Sequence, residues 1–522
     1  MILRRIRENV GRDPRRHRDP RGRPSAMASP AAEIFATIAK EDAAITPEIM
    51  ESFAHNVKLE LAAGGAELAA EVSAMVGATQ KREALVVDVR SPGEYARGHV
   101  PGAVNVPLFS DEERAKVGTC FAKQGRGQAM VMGMRAVRPK LDTMLRTILH
   151  LAETSGRERG PAAVLASEAS PFPAPVTVYV HCWRGGMRSS CVTWLLLHSA
   201  PPGVLDARVV RGGYKSFRRW VLSRWTPPAA LTRASSSSSL ASNMSDEVSS
   251  VAPSSSSSSS PSEPHDDGPR VCIVGGRTGV GKTRALLALR ALGQQVVDLE
   301  GLAAHSGSAF GWVGRPPAQP TSEHFSNLVA MEWAAMESAP RWVFVEDEGP
   351  HVGKCSVDPG LFQRMRHAPL VVNVVAPEEV RLRTLVQDYA GDAHRNEPGW
   401  LEAMSESVGK LHKRLGGKNA QELQARLAEG NFEAVAEGLL TYYDGLYDRH
   451  LGNKRVEKHA NPVAAEAEKP RAGKTLACAA HAVGDVGGGR HPHELDVERL
   501  ARDILGVVAA FEEEEARDAA AE

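Results

Sequence analysis

Two short stretches hold residue types whose spacing suits chemistry on anions. In His181-Cys182-Trp183-Arg184-Gly185-Gly186-Met187-Arg188 the cysteine and the last arginine form a C-x5-R pattern, set between the apolar run Val178–Val180 and the apolar run that starts at Cys191. If the first run is a strand and the second a helix, the N–H groups of the loop and of the helix start converge on one point, which favours an anion. Gly185 and Gly186 leave that point free of side chains, and Arg184 and Arg188 are suited to bidentate contact with oxyanion oxygens. Cationic neighbours and a helix N-terminus also favour the thiolate of Cys182. A buried structural cysteine beside a glycine turn is the ordinary alternative, but an inert core thiol has no use for two arginines.

The second stretch is Gly276-Arg277-Thr278-Gly279-Val280-Gly281-Lys282-Thr283, a match to G-x4-GK[ST] placed after the apolar run Val271–Val274. That context is the one a phosphate loop requires. Its expected diphosphate-binding residues are Gly276, Gly279, Gly281, Lys282 and Thr283, with the Thr283 hydroxyl as a ligand for Mg²⁺. Glu346 and Asp347, at the end of Arg341–Glu348, are placed as an acidic pair that positions the metal or its water, against the plainer reading of a solvated strand end.

Both loops need strands and helices to hold them, and the flanking sequence supplies them. Ala84–Arg90 and Val176–Cys182 are β-branched runs that end in polar residues; Gln294–Glu300, Arg341–Glu348 and Leu370–Pro377 repeat the pattern in the second half. Each alternates with helical sequence, which predicts an α/β protein with two parallel-sheet domains and ligands at the carboxyl ends of strands.

A chain of 522 residues is too long for one core, and serine tracts at 235–239 and 254–260 mark a linker. The expected division is an extension over 1–40, a first domain over 83–228, the linker over 229–268, a second domain over 269–455, and a mostly disordered tail with one helix over 456–522. Residues from Ser155 to Pro175 resemble an inserted loop. Lys plus Arg and Asp plus Glu are equal at 63 each, so nucleic-acid binding must come from local patches such as Gly409–Lys418. No apolar run reaches membrane-spanning length. Six cysteines without CxxC spacing favour a reducing compartment, and a soluble intracellular protein, cytoplasmic or organellar, is expected. The arginine-rich start has some character of an organellar presequence, although Glu8, Asp13 and Asp19 interrupt it.

The stretch Asp88–Leu108 closely resembles the N-terminal signature of rhodanese-type domains, and Cys182 then falls where such domains carry their reactive cysteine. His181–Ser190 resembles the active loop of the tRNA 2-selenouridine synthases, which join a rhodanese domain to a P-loop domain in this order. That resemblance continues through Asp298–Gly311, Val345–Gly353, Lys413–Lys418 and Tyr442–Asp448. It implies Asp88 and Arg90 as supporting residues and tRNA with 2-thiouridine at the wobble position as partner. It also implies selenophosphate and geranyl diphosphate as co-substrates, an S-geranyl intermediate, and a selenophosphate-producing enzyme as supplier. A rhodanese-fold phosphatase or sulfurtransferase and a nucleotide-gated docking module are the competing readings; the fused phosphate loop opposes the former, and the joint presence of Cys182, Arg184 and Arg188 opposes the latter.

Overall fold

The computed structural model describes residues 29–40, 42–63, 69–158, 175–200, 204–225, 269–313, 318–336, 342–451, 474–480 and 495–521. These fall into two compact units, divided between Arg224 and Trp225. The serine tracts, residues 1–28 and residues 159–174 lie outside the described residues. Among the described residues no helix is long and apolar enough to cross a membrane.

The first unit is built on a five-stranded sheet: β1 (Ala69–Ala70), β2 (Ala84–Asp88), β3 (Val104–Asn105), β4 (Val176–His181) and β5 (Leu205–Val210), in the order β1-β5-β4-β2-β3. All pairings are parallel. Strand β2 is Leu-Val-Val at its centre and fully buried there, as expected for a strand with covered faces. Its register sets Asp88 opposite His181, so the polar ends of β2 and β4 meet.

This unit begins well before residue 83. Helices α1 (Pro30–Ile38) and α2 (Pro47–Ala63) belong to its core, which corrects the expectation of an extension through residue 40 and a domain starting at 83. Helix α1 is started by the Ser29 hydroxyl, which accepts from the Ala32 N–H, with proline at the first position. Ala31, Phe35 and Ile38 then lie on one face and are buried. Phe35 and Phe53 pack against Trp194, at ring-centroid distances of 5.8 Å and 5.6 Å. The Trp194 indole N–H donates to Glu60 Oε2 at 2.7 Å. Trp194 lies on α3 (Met187–Ser199), the helix after the cysteine loop, so the N-terminal helices brace that loop from behind. Helix α4 (Gly213–Ser223) follows β5.

The second unit has a five-stranded parallel sheet of β6 (Arg270–Gly276), β7 (Gln295–Val297), β8 (Trp342–Glu346), β11 (Leu370–Val375) and β12 (Lys474–Ala479), in the order β12-β11-β6-β8-β7. A small antiparallel hairpin, β9 (His351–Val352) and β10 (Cys355–Ser356), lies between β8 and β11 in sequence. Helix α5 (Lys282–Ala291) follows β6, and α6 (Glu378–Ala390) follows β11. Helix α6, α7 (Phe432–Leu451) and the helices over 400–410 and 417–428 surround a separate apolar cluster that includes Phe310, Trp400, Met404 and Leu427.

In the C-terminal segment the one expected helix is present, and strand β12 is an addition to the expectation. Strand β12 pairs with β11 over six residues, and α8 (Val497–Ala521) buries Leu500, Ile504, Val508 and Phe511 in the sheet core. The strand carries lysine, threonine and alanine and little apolar bulk, because it lies at an edge and gains its structure from its neighbour.

Candidate functional site

The cysteine loop turns from β4 into α3. Gly186 caps that helix with an extended backbone and offers no side chain, so the first N–H groups of the helix remain directed at the loop. Gly185 has a φ of 62°, and a Cβ there would lie 2.3 Å from the Val210 carbonyl oxygen. Only glycine fits this approach. The Tyr214 and Lys215 N–H groups donate to the carbonyls of Cys182 and Trp183, both at 2.9 Å, which fastens the loop to the β5–α4 turn.

Cys182 lies at the floor of this loop with 3 % of its surface exposed. Its Sγ is 3.4 Å from the Ser189 hydroxyl, and that oxygen is 3.1 Å from the Gly186 carbonyl. Burial raises the thiol pKa, but the Ser189 hydroxyl, the Arg188 guanidinium and the N–H groups of Ser189 and Arg184 outweigh it, and the thiol titrates below its ordinary value. Arg188 is half-buried and bonded to Glu94 Oε2 at 3.3 Å. The Arg184 side chain is exposed and takes part at the sulfur through its backbone alone. The expected two-arginine grip thus reduces to one guanidinium and a ring of amides.

Asp88 and Arg90 lie beneath this loop. They form a buried bidentate pair, with Arg90 Nη2 2.6 Å from Asp88 Oδ2, and the same nitrogen reaches the Gly98 carbonyl at 2.7 Å. The guanidinium also covers the Tyr214 ring at 3.8 Å. Burial opposes the Asp88 charge, yet His181 and Arg90 hold its carboxyl below the usual value. Burial lowers the His181 pKa, against the attraction of the Asp88 charge. Burial, with Cys182 adding to it, pushes the Cys191 thiol up to about 12. Cys120 is buried and directed at Gln124.

In the second unit the phosphate loop joins β6 to α5. Gly276 ends the strand, and Gly279 and Gly281 follow with φ of 83° each. A Cβ on Gly281 would be 2.2 Å from Leu495 Cδ2, so the C-terminal segment forms one wall of the loop. Arg381, on α6, donates to the Thr278 carbonyl at 2.9 Å and is anchored by Asp444.

Lys282 and Thr283 meet carboxylates here. Lys282 Nζ is 3.7 Å from Glu346 Oε1, and the Thr283 hydroxyl lies 3.0 Å from both Glu300 Oε2 and Glu346 Oε2. Glu300, Glu346 and Glu348 each offer one oxygen, all within 4.8 Å of one another. Burial first, and mutual repulsion second for Glu300 and Glu348, raise these carboxyls; Glu348 is pushed up to about 8. An all-oxygen set of three carboxylates and a hydroxyl fits Mg²⁺, whose charge offsets that repulsion. Thr283, Glu300, Glu346 and Glu348 are the residues that would hold it, and the ion would supply charge to a diphosphate.

The expected pairing of Glu346 with Asp347 is corrected. Neighbouring residues of an extended chain point to opposite sides, and Asp347 is 3.8 Å from Arg366 while Glu346 faces Lys282. Glu300 and Glu348 were not anticipated. The period of two from Glu346 to Glu348 carried the signal for the latter, and the position of Glu300 just past β7, next to β8, carried it for the former.

Beside the phosphate loop lies a mostly apolar pocket lined by Thr278, Ser308, Phe310, Leu385, Tyr389 and Tyr443 together with aliphatic residues of the surrounding helices.

Residues 269–468 match the family model of the tRNA 2-selenouridine synthase AAA domain, and residues 68–132 match the rhodanese-like domain. The tRNA 2-selenouridine synthase of Pseudomonas putida KT2440 is 32 % identical over 395 residues, which cover 74 % of this chain and 89 % of that protein. Proteins of the same name from Pseudomonas putida W619 (33 % identical, 71 % and 91 % covered) and Aeromonas salmonicida A449 (32 %, 71 % and 88 %) are similar over comparable spans. The chain belongs to the tRNA 2-selenouridine synthase family.

It is therefore an enzyme of tRNA modification, with the rhodanese-like unit first and the P-loop unit second. The AAA-domain match contains the whole phosphate loop and all three buried glutamates. The rhodanese-like match contains Asp88 and Arg90 but ends before Cys182, which joins them through the pairing of β2 with β4.

Proposed function

We propose that this synthase converts 2-thiouridine at the tRNA wobble position into 2-selenouridine in two steps. Geranyl diphosphate first alkylates the sulfur; selenium from selenophosphate then replaces the geranyl thiol. The P-loop unit carries the first step and the Cys182 loop the second. Its site residues are Cys182, Arg188, Gly185 and Gly186, with Arg184 acting through its amide and with Asp88 and Arg90 in support, and Gly276, Gly279, Gly281, Lys282 and Thr283 at the diphosphate. A selenophosphate-producing enzyme supplies the donor.

The observation that carries this reading is the apolar cavity next to the phosphate loop, with Thr278 in its wall. A nucleoside needs polar partners for its base and ribose, whereas a prenyl chain needs an apolar enclosure at about the distance of its own diphosphate. Alkylation turns the thiocarbonyl sulfur into a better leaving group, which is the purpose of a prenyl step before selenium arrives. The exposed basic edge with Lys413, Arg414 and Lys418 suits a tRNA backbone.

The experiment supplies the purified chain with thiouridine RNA and geranyl diphosphate, then adds selenophosphate, and follows the nucleosides by mass. Geranyl-thiouridine followed by selenouridine is expected. Selenouridine without any geranylated species removes the prenyl step, and phosphate release without RNA modification returns the protein to the phosphatase reading.

A further inference from the structure

Resting on the selenophosphate reading above, we infer that Cys182 attacks the phosphorus of selenophosphate and carries a phosphoryl group, so that the first unit acts as a phosphoryl acceptor that releases selenide. The argument starts from oxidation state. Selenium in selenophosphate is already at the selenide level. A Cys–S–SeH species on Cys182 requires that selenium to lose two electrons, and neither the donor nor the RNA is an oxidant. Breaking the phosphorus–selenium bond requires none.

The loop is made for oxygen atoms. Its N–H groups at Arg184 and Ser189, the N–H groups of the first turn of α3, and the Arg188 guanidinium are hydrogen-bond donors suited to a tetrahedral oxyanion. A selenium atom bound to sulfur accepts hydrogen bonds weakly and leaves most of these donors unused. Ser189 adds a specific device. Its hydroxyl, 3.4 Å from Sγ and donating to the Gly186 carbonyl at 3.1 Å, turns its proton from that carbonyl to the sulfur as negative charge returns there when the phosphocysteine is cleaved.

The steps balance. The Cys182 thiolate forms a bond to phosphorus; the phosphorus–selenium bond breaks with its electron pair on selenium, which takes up one proton and leaves as hydrogen selenide. Hydrogen selenide adds to C2 of the S-geranyl nucleoside and geranyl thiolate departs. Water then cleaves the Cys182 sulfur–phosphorus bond, which yields inorganic phosphate and restores the thiolate. Selenium and phosphorus keep their oxidation states throughout.

The test uses the full chain and selenophosphate labelled either with ³²P or with ⁷⁵Se, quenched within one turnover and mapped by peptide. The expected result is ³²P on the Cys182 peptide with no ⁷⁵Se there, and several-fold more trapped ³²P in Ser189→Ala because discharge slows. Mapping on the wild-type chain keeps the result independent of whether Cys182→Ser folds. Retention of ⁷⁵Se on Cys182 overturns the inference, as does formation of selenouridine without ³²P on Cys182 in either protein. A wild-type chain that makes no selenouridine from selenophosphate and geranylated RNA overturns the underlying reading as well, a result that the RNA product alone reveals.

Discussion

The cysteine loop and the phosphate loop are both turns from a parallel strand into a helix, both capped by glycine, and both aimed at an anion. They differ in what surrounds the cradle. Around Cys182 the charged groups near the sulfur are donors, and the neighbouring carboxylates, Glu94 and Asp88, are each held by an arginine. Around Lys282 three carboxylates are buried together with the lysine and threonine. In the proposed reading, the first arrangement activates a nucleophile of the protein itself, and the second neutralises a leaving group and invites a cation. One geometry thus serves two chemistries, and the side chains around it decide which.

The largest test of that contrast is Cys182→Ser. Selenation of geranylated RNA is expected to fall by at least about a thousandfold, with geranylation unchanged within about twofold, since only one step uses the nucleophile. Paired assays of the two half-reactions check this, and equal loss of both erases the division between the loops. Lys282→Ala is the mirror experiment. Geranyl transfer should drop by about a hundred- to a thousandfold, because the lysine supplies charge to departing diphosphate, while pre-geranylated RNA is still selenated. A variant that is folded but dead on both substrates would place the phosphate loop in the selenium step.

Arg188→Lys is expected to lower selenation by about ten- to a hundredfold, since a point charge does not reproduce a planar two-point grip. Selenation at the wild-type rate would leave the anion to the amides alone. The smallest effect is a displacement along the pH axis. Alkylation of Cys182 by iodoacetamide should reach half its limiting rate at a lower pH than that of an ordinary free thiol, because its pKa is lowered, and should slow as pH falls through that midpoint. Cys191, pushed up to about 12, stays unreactive over the same range. Peptide mapping separates the two thiols, and equal reactivity would show that Ser189 and Arg188 do not stabilise the thiolate.

The strands that carry these loops were legible, because β2, β4, β6, β8 and β11 are β-branched runs buried in a parallel sheet. Strands β1 and β12 were not. An Ala69-Ala70 pair and a segment beginning Lys474-Thr475 have no strong preference of their own, and hydrogen bonds to β5 and β11 decide their state. Helices α1 and α2 were not legible, because a buried face made of Ala31, Ala32, Phe35 and Ile38 is short and half alanine, and its burial depends on partners far along the chain. At the site, motif spacing located Cys182, Arg188, Lys282 and Thr283, whose order along the chain is local. Glu300 comes to Thr283 across a separation of 17 residues and Glu346 across 63, and such meetings depend on strand order. Arg184 shows the opposite limit: proximity in sequence does not fix where a long side chain points.

The wall that Leu495 forms against Gly281 ties the phosphate loop to a segment more than two hundred residues downstream. On the ribosome, where residues are added at about 5–20 per second, the loop emerges ten seconds or more before that wall exists. The first unit has every described strand in hand before the serine tracts are made, whereas the second waits for β12 and α8. A message cut short after residue 455 would therefore yield a chain whose cysteine loop is whole and whose phosphate loop lacks support. On the proposed division of the two steps, such a product would still consume selenophosphate without being able to prepare the RNA that receives the selenium.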